Sequence, residues 1–536
     1  MKNRSPLAID LALAALVTLA FCTAAGYGLP QILDPDEGTF VAAAGRLLAG
    51  PTYDPGWYGH PAATLIYPLA ALYGVIAIVG LLLGFFADLG AVQALYFDDP
   101  TVFYVTGRIL SALYGGICAF ILFRLMRLFK IGNFWIVIAG FVFFLSPVMY
   151  DYGTKIRADL ILAAFMLLVI YSAVKAVQVK ASLRWMLAGG FCVGLAVTSK
   201  YPGVLSAVAV IAAAVTLWRQ GSLGPVAAIR QLIAAGAVSV LAAFATAPYL
   251  LIRFQAVLQN ILREARPEHL SATSPGFGSA LAFYTLDVMP RAVGVPLAVL
   301  SVFGLVLLVR QSGGRILVIT GIIFLIFIAS LNLVWVRWII PLIPMAILAA
   351  FCAVQNAEES SLLNAKWRGP FRAVLLAMIF IPVLSNTIPL VYAKVTNNDT
   401  RVEARTWISN NIPKGARILI EAYAPNLDTQ RYEVFVSQGG VFQRWQALEP
   451  TRFATPLGPL VAGWDGKTVS EFAVRLNKLE VDYIVLSGWE TRFRSDSRGY
   501  EDFLLMYQMV SEKFSLAKRF PPGEYKTGPK IEVLKR

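Results

Sequence analysis

Apolar runs of spanning length recur through residues 7–29, 102–123, 134–150, 159–174, 185–199, 202–218, 231–252, 292–309, 316–334, 338–355 and 373–391. A helical crossing takes about 20 such residues, because hydrocarbon offers backbone N–H and C=O groups no partner outside the helix. The pattern predicts a polytopic α-helical membrane protein of about 11–13 transmembrane helices. Residues 62–87 are also apolar and long enough to span. A single crossing there would flip every later loop and turn Arg124, Arg127 and Lys130 outward, against the positive-inside rule. Surface helices, or a hairpin returning to the outer face, are expected instead.

After Tyr392 the pattern changes to polar and mixed charge. Thr400–Asn411 reads as a helix ending before Pro413, and 417–422, 481–486 and 531–534 read as strands. The expected organisation is a transmembrane module over 1–394 and a small external α/β domain over 395–536.

Charge orients the module. Lys2 and Arg4 precede the first run, which places the N-terminus in the cytoplasm. Alternation then puts Arg124/Arg127/Lys130, Lys175/Lys180/Arg184, Arg219/Arg230, Arg310/Arg315 and Lys366/Arg368/Arg372 inside. The long loop 30–101 and the C-terminal domain fall outside, periplasmic in a bacterial inner membrane. The chain is 57% hydrophobic with a net charge of +14, but its basic residues flank apolar runs. Topology therefore accounts for the charge, and nucleic acid is not a partner. The four cysteines all lie in apolar runs, so no disulfide framework is legible. The first run reads as a retained signal anchor.

Candidate chemistry concentrates at the outer surface. Asp34-Pro35-Asp36-Glu37-Gly38 directly follows the first run. Carboxylates gathered there serve either to bind a cation or to accept a proton from a nucleophile. Arg108, Asp159, Lys200, Arg291 and Arg337 sit at run ends. A transporter keeps ionisable groups near the bilayer midplane in repeated halves, a pattern not found here.

The order of features resembles the C-type membrane glycosyltransferases, which include protein O-mannosyltransferases and lipid A aminoarabinose transferases. Asp36-Glu37-Gly38 looks like their acidic first-loop motif. Thr106-Gly107-Arg108-Ile109-Leu110-Ser111, Ser146-Pro147 with Arg157-Ala158-Asp159, Gly194–Pro202 and Val336–Pro344 are similar to further segments, in the same order over about residues 1–395. The resemblance implies a glycosyltransferase that moves a sugar from a polyprenyl-phosphate donor to a hydroxyl acceptor, with inversion. Lipid, glycan and protein acceptors all fit.

Under this reading Asp36 is the catalytic base, or the N-cap of a surface helix over 37–48. Glu37 is a second base or a first-turn helix stabiliser. Asp34 is a turn residue, or with Asp36 a metal ligand; no cofactor is required, and a divalent cation is the lesser reading. His60, Arg108, Lys200 and Arg337 would hold the lipid phosphate, or act as helix-entry and interfacial anchors. Arg263 and Arg266 belong to an external loop over 253–290, which either orders over a bound donor or is simply solvated near headgroups. Arg157 and Asp159 are expected to pair and brace the site. Two other classes compete: a lipid or polysaccharide transporter or flippase, and a non-catalytic scaffold whose external domain binds a partner.

Overall fold

The computed structural model describes residues 6–50, 52–179, 183–265, 272–360, 365–421, 423–436, 480–495 and 501–536. Among these, eight helices are long and apolar enough to cross a membrane, or ten if each of two bent pairs is one span, and two shorter apolar helices accompany them. The protein is thus polytopic and α-helical, as its hydrophobic pattern requires, with a small sheet at the C-terminus.

The helices that position the site are α1 (Pro6–Cys22), α2 (Pro35–Ala49), α3 (Ala63–Leu82), α4 (Leu89–Asp98), α5 (Thr101–Leu128), α6 (Asn133–Leu145), α7 (Pro147–Gly153), α8 (Asp159–Gln178) and α9 (Leu183–Ser199). Ser146-Pro147 splits the run 134–150, and α7 turns 62° away from α6. Pro147 lacks the N–H to continue the ladder, while the Ser146 hydroxyl accepts from Met149 N–H and restarts it. α8 is apolar on every side and almost wholly buried at the centre of the bundle. Gly190 and Gly194 of α9 lie against backbone atoms of Ala235 and Ser239 in the helix Pro225–Thr246, a close approach that no side chain would permit.

α1 and α5 run antiparallel. Near the start of α5, the Arg108 Nη1 donates to the carbonyls of Ala25 and Tyr27 just past α1, at 2.9 and 2.6 Å. Near its other end, Arg127 pairs with Asp10 of α1 at 2.7 Å. The chain therefore leaves α1 and enters α5 on the same face. α3, which the sequence left as surface helices or a hairpin, is one continuous helix. It starts where Ala62 N–H donates to Ser199 O and leads through α4 back to the head of α5. The segment between α1 and α5 makes no net crossing, so the later alternation keeps its phase.

The C-terminal helix Thr400–Asn411 has the bounds its pattern predicts. It packs on a five-stranded sheet of β1 (Arg417–Ile420), β2 (Glu433–Val436), β3 (Tyr483–Leu486), β4 (Ser515–Phe520) and β5 (Ile531–Lys535), in the order β2-β1-β3-β5-β4. β1 is parallel to β2 and β3, while β5 is antiparallel to β3 and β4. β1, β3 and β5 were legible as apolar runs. β2 and β4 were not; β4 is mostly exposed and carries no apolar alternation.

Candidate active site

Local chemistry fixes the acidic loop. The Asp34 carboxylate accepts from Asp36 N–H at 3.0 Å and caps α2, Pro35 occupies the first helical position, and Asp36 and Glu37 lie in the first turn. Each choice suits a helix N-terminus, where free N–H groups attract anions and proline gives up nothing. The cap expected of Asp36 thus belongs to Asp34, and the Asp36 side chain, 47% exposed, is open to a ligand.

Glu37 and Arg108 have a different part from the one expected. Glu37 is fully buried. Its oxygens accept from Arg108 Nε at 2.9 Å and Nη2 at 2.7 Å, and Oε1 also accepts from Ile156 N–H at 2.9 Å. With the Ala25 and Tyr27 carbonyls, this network commits both charges to bracing α1, α2 and α5 together. Neither group lines the cavity that holds His60, Lys200 and Arg337.

Arg157 corrects a second expectation. It pairs not with Asp159 but with the acidic loop: Nη2 donates to both Asp34 oxygens at 2.6 and 2.8 Å, and Nη1 to Asp36 Oδ2. Lys155 adds a second cation 3.5 Å from Asp34. Burial alone would raise both carboxyls. Arg157 outweighs it, helped by Lys155 at Asp34 and by Arg337 at Asp36, and holds both below the 3.8 of a free aspartate. The positive charge between Asp34 and Asp36 is therefore a guanidinium. Among the described residues no group of three His, Cys, Asp or Glu side chains could hold a metal ion.

Asp159, freed from Arg157, takes Lys200 at 2.7 Å. α9 ends at Ser199, Lys200 is extended, and Tyr201-Pro202 opens a 3-10 turn. The loop carrying Gly59-His60-Pro61 is pinned here. Tyr201 Oη donates to Tyr58 O at 2.7 Å, Ala62 N–H to Ser199 O at 3.2 Å, and the Thr64 and Ser199 hydroxyls meet at 2.6 Å. Arg337 comes from a third direction, in the 3-10 turn Val336–Leu342. It lies over the Trp335 ring at 4.7 Å and reaches Asp36 at 3.4 Å.

His60, Lys200 and Arg337 meet in one cavity of about 290 Å³. Phe324, Phe327, Ile328 and Trp338 supply apolar walls; Glu264 and Asn332 also face it. Burial, then the neighbouring Lys200 and Arg337 charges, push His60 down to about 3, so its ring is neutral near pH 7. The fixed positive charge in the cavity comes from Lys200 and Arg337.

The structure thus gathers Asp36, His60, Lys200 and Arg337, with Arg157 and Asp159 behind them. Arg263 is exposed on the helix Phe254–Glu264 and does not line the cavity. Arg266 lies outside the described residues. Glu264 was missed. Its signal is helical spacing: Val257 is buried, and Ile261 and Glu264 follow at i+4 and i+7 on the inward face, while Phe254, Leu258 and Leu262 are exposed.

The family model described as dolichyl-phosphate-mannose-protein mannosyltransferase matches residues 103–261, which include Arg108, Arg157, Asp159 and Lys200. Two crystal structures of ArnT from Cupriavidus metallidurans, one apo and one bound to undecaprenyl phosphate, are 14% identical with a TM-score of 0.51, over 98% of this chain and 97% of that one. The archaeal oligosaccharyltransferase AglB from Archaeoglobus fulgidus is 12% identical with a TM-score of 0.48, over 90% of this chain and 70% of that one. No curated protein matches the chain in sequence.

Proposed function

We propose that this chain, which shares the fold of ArnT and matches the mannosyltransferase family model over residues 103–261, is a C-type membrane glycosyltransferase that transfers a sugar from a polyprenyl-phosphate donor to a hydroxyl acceptor with inversion. One observation carries the reading: Arg337 both lines a cavity with apolar walls and a cationic end and stands 3.4 Å from Asp36. A lipid phosphate held there puts its sugar beside an exposed, ionised carboxylate. The C-type fold and the undecaprenyl phosphate bound by ArnT support the same donor class.

The chemistry follows from placement. The polyprenyl chain lies along Phe324, Phe327, Ile328 and Trp338, and Lys200 and Arg337 take the phosphate. The acceptor hydroxyl oxygen attacks the anomeric carbon, while the bond from that carbon to the phosphate oxygen breaks on the opposite side. Asp36 accepts the hydroxyl proton. The electron pair leaves on the phosphate, whose added charge Lys200 and Arg337 stabilise without reorganising. In the free protein Arg337 also holds Asp36 ionised. A donor phosphate competes for that guanidinium, which makes the carboxylate a better base when substrate is present. Arg157 fixes the direction of Asp36, and Asp159 keeps Lys200 charged and in place. His60 acts as a neutral hydrogen-bonding group.

The site and the start of the C-terminal segment share one face, and Arg124 and Arg127 lie toward the other, about 24 and 28 Å along α5 from Arg108 at 1.5 Å per residue. The positive-inside rule makes the latter face cytoplasmic. The reaction is then on the outer face of the inner membrane, with the N-terminus inside and residues 395–536 forming an external domain.

The test is transfer from a panel of labelled polyprenyl-phosphate sugars to membrane extract, wild type beside Asp36→Asn. Label should move with wild type, and the variant should lose about 10²–10⁴-fold while still binding donor. Full turnover by Asp36→Asn removes Asp36 from the mechanism. Transfer from no donor removes the proposed activity.

A further inference from the structure

Glu264 does not fit a site built for phosphate alone. It ends the helix Phe254–Glu264, is half-buried and lines the cavity with His60, Lys200 and Arg337. Its position is confined: a Cβ on Gly59 would fall 2.9 Å from Glu264 Oε1. No ion pair or hydrogen bond joins its side chain to any described residue, although two cations share the cavity. A carboxylate here repels a lipid phosphate and weakens the hold of Lys200 and Arg337 on it. What it offers is hydrogen-bond acceptance, since an ionised carboxylate has only lone pairs to give.

We infer that Glu264 reads the sugar: it accepts hydrogen bonds from hydroxyl or ammonium groups of the glycosyl unit on the lipid phosphate, with the Asn332 amide in the same cavity. This rests on the donor class proposed above. In such a donor the phosphate and the sugar are one bond apart, and only the sugar is rich in O–H or N–H donors. A cavity with cations for the phosphate and a separate carboxylate for the sugar binds the loaded donor better than the spent lipid. The same asymmetry helps the spent lipid phosphate to leave. Asn332 is held in place through its own carbonyl, which accepts from Ser274 N–H at 2.7 Å, so its amide is presented from a fixed backbone. The polar groups on this wall therefore set which sugars the enzyme takes, independently of the Asp36 chemistry.

The experiment compares binding of undecaprenyl phosphate with binding of undecaprenyl phosphates carrying a hexose, a pentose or a 4-amino sugar. The full-length protein in lipid nanodiscs is used as wild type, Glu264→Ala, Glu264→Gln and Gly59→Ala. Wild type should bind one or more sugar-bearing lipids more tightly than the bare lipid. Glu264→Ala should lose that preference by about ten-fold, with unchanged or tighter binding of the bare lipid, from which it removes a negative neighbour. Gly59→Ala, which displaces the Glu264 carboxylate, should repeat the loss in milder form. A surviving amino-sugar preference in Glu264→Gln means that hydroxyls are read, and its selective loss means the ammonium; either supports the assignment. Equal losses for bare and loaded lipids, or no loss for either, overturn it while leaving the donor class intact. Wild type that binds none of the lipids overturns both.

Discussion

The Arg401 Nη1 donates a 2.6 Å hydrogen bond to the carbonyl of Leu33, one residue ahead of Asp34. Arg401 is itself held by Asp399 at 2.8 Å, and Asp399 accepts from Tyr27 Oη at 2.5 Å. Lys394, just before this segment, pairs with Asp151 at 2.7 Å. The start of the C-terminal segment thus grips the strand of chain that carries the acidic loop. It touches no proposed substrate, and its contribution is position.

Arg401→Lys keeps the charge but cannot hold Asp399 and Leu33 together through one planar fork. Transfer should fall about 10–100-fold, as expected when a reacting group is slightly misplaced. Donor affinity should stay within about two-fold, since the phosphate site is built elsewhere. Arg401→Ala leaves buried Asp399 without its cation and should in addition lower thermal stability by roughly 3 kcal/mol. Undiminished turnover in Arg401→Lys would sink the positioning role.

Glu37→Gln and Arg108→Gln separate bracing from catalysis. Each leaves the opposite charge buried and unpaired, at a cost of about 3–5 kcal/mol. Both should show a lowered unfolding temperature in detergent and reduced yield. Asp36→Asn should not, because its side chain is half exposed. If Glu37→Gln were as stable as wild type and inactive, Glu37 would return as a catalytic group.

Arg337 joins the cavity to Asp36, so its loss should be felt twice. Arg337→Ala should weaken donor binding by about 10–100-fold, the worth of one hydrogen bond to a charged group. It should also lower turnover at saturating donor. A KM effect alone would restrict Arg337 to the phosphate.

The pH dependence has a definite sign. His60 is held down to about 3, first by burial and then by Lys200 and Arg337. In the unfolded chain it protonates near 6.5. Between these values the unfolded state binds the extra proton, so stability falls as pH drops from 6.5 toward 3. Donor binding should show no step in the range of an ordinary histidine, because a sugar phosphodiester is monoanionic throughout and His60 is already neutral. Burial would raise Asp36, but Arg157 and Arg337 hold it below 3.8 in the free protein, so the acid limb of kcat/KM, which reports the free protein, should lie beneath the usual carboxylate range. A binding transition near pH 6.5 that His60→Gln abolishes contradicts this assignment.

Reading the chain alone brought the fold class and the residues of the candidate site within reach, because both are written locally. Spanning runs must be helical wherever they occur. Thr400–Asn411 carries its cap in Asp399 and its stop before Pro413, so its bounds needed no partner. Asp36, His60, Lys200 and Arg337 stand out since each is polar at the edge of an apolar run.

Only the tertiary structure decided who pairs with whom. Arg157 and Asp159 are two residues apart and look like a pair, yet α8 begins at Asp159 and leaves Arg157 in the preceding loop. Arg157 therefore turns to α2 and Asp159 to the end of α9. Glu37 is next to Asp36, but one step along a helix rotates a side chain by about 100°, enough to take it from the open face to the buried one. Glu264 gains meaning only when its helix is laid against the loop of Gly59. Charge in a low-dielectric setting acts through distance, and distance between segments hundreds of residues apart is set by packing, which no local pattern in the sequence records.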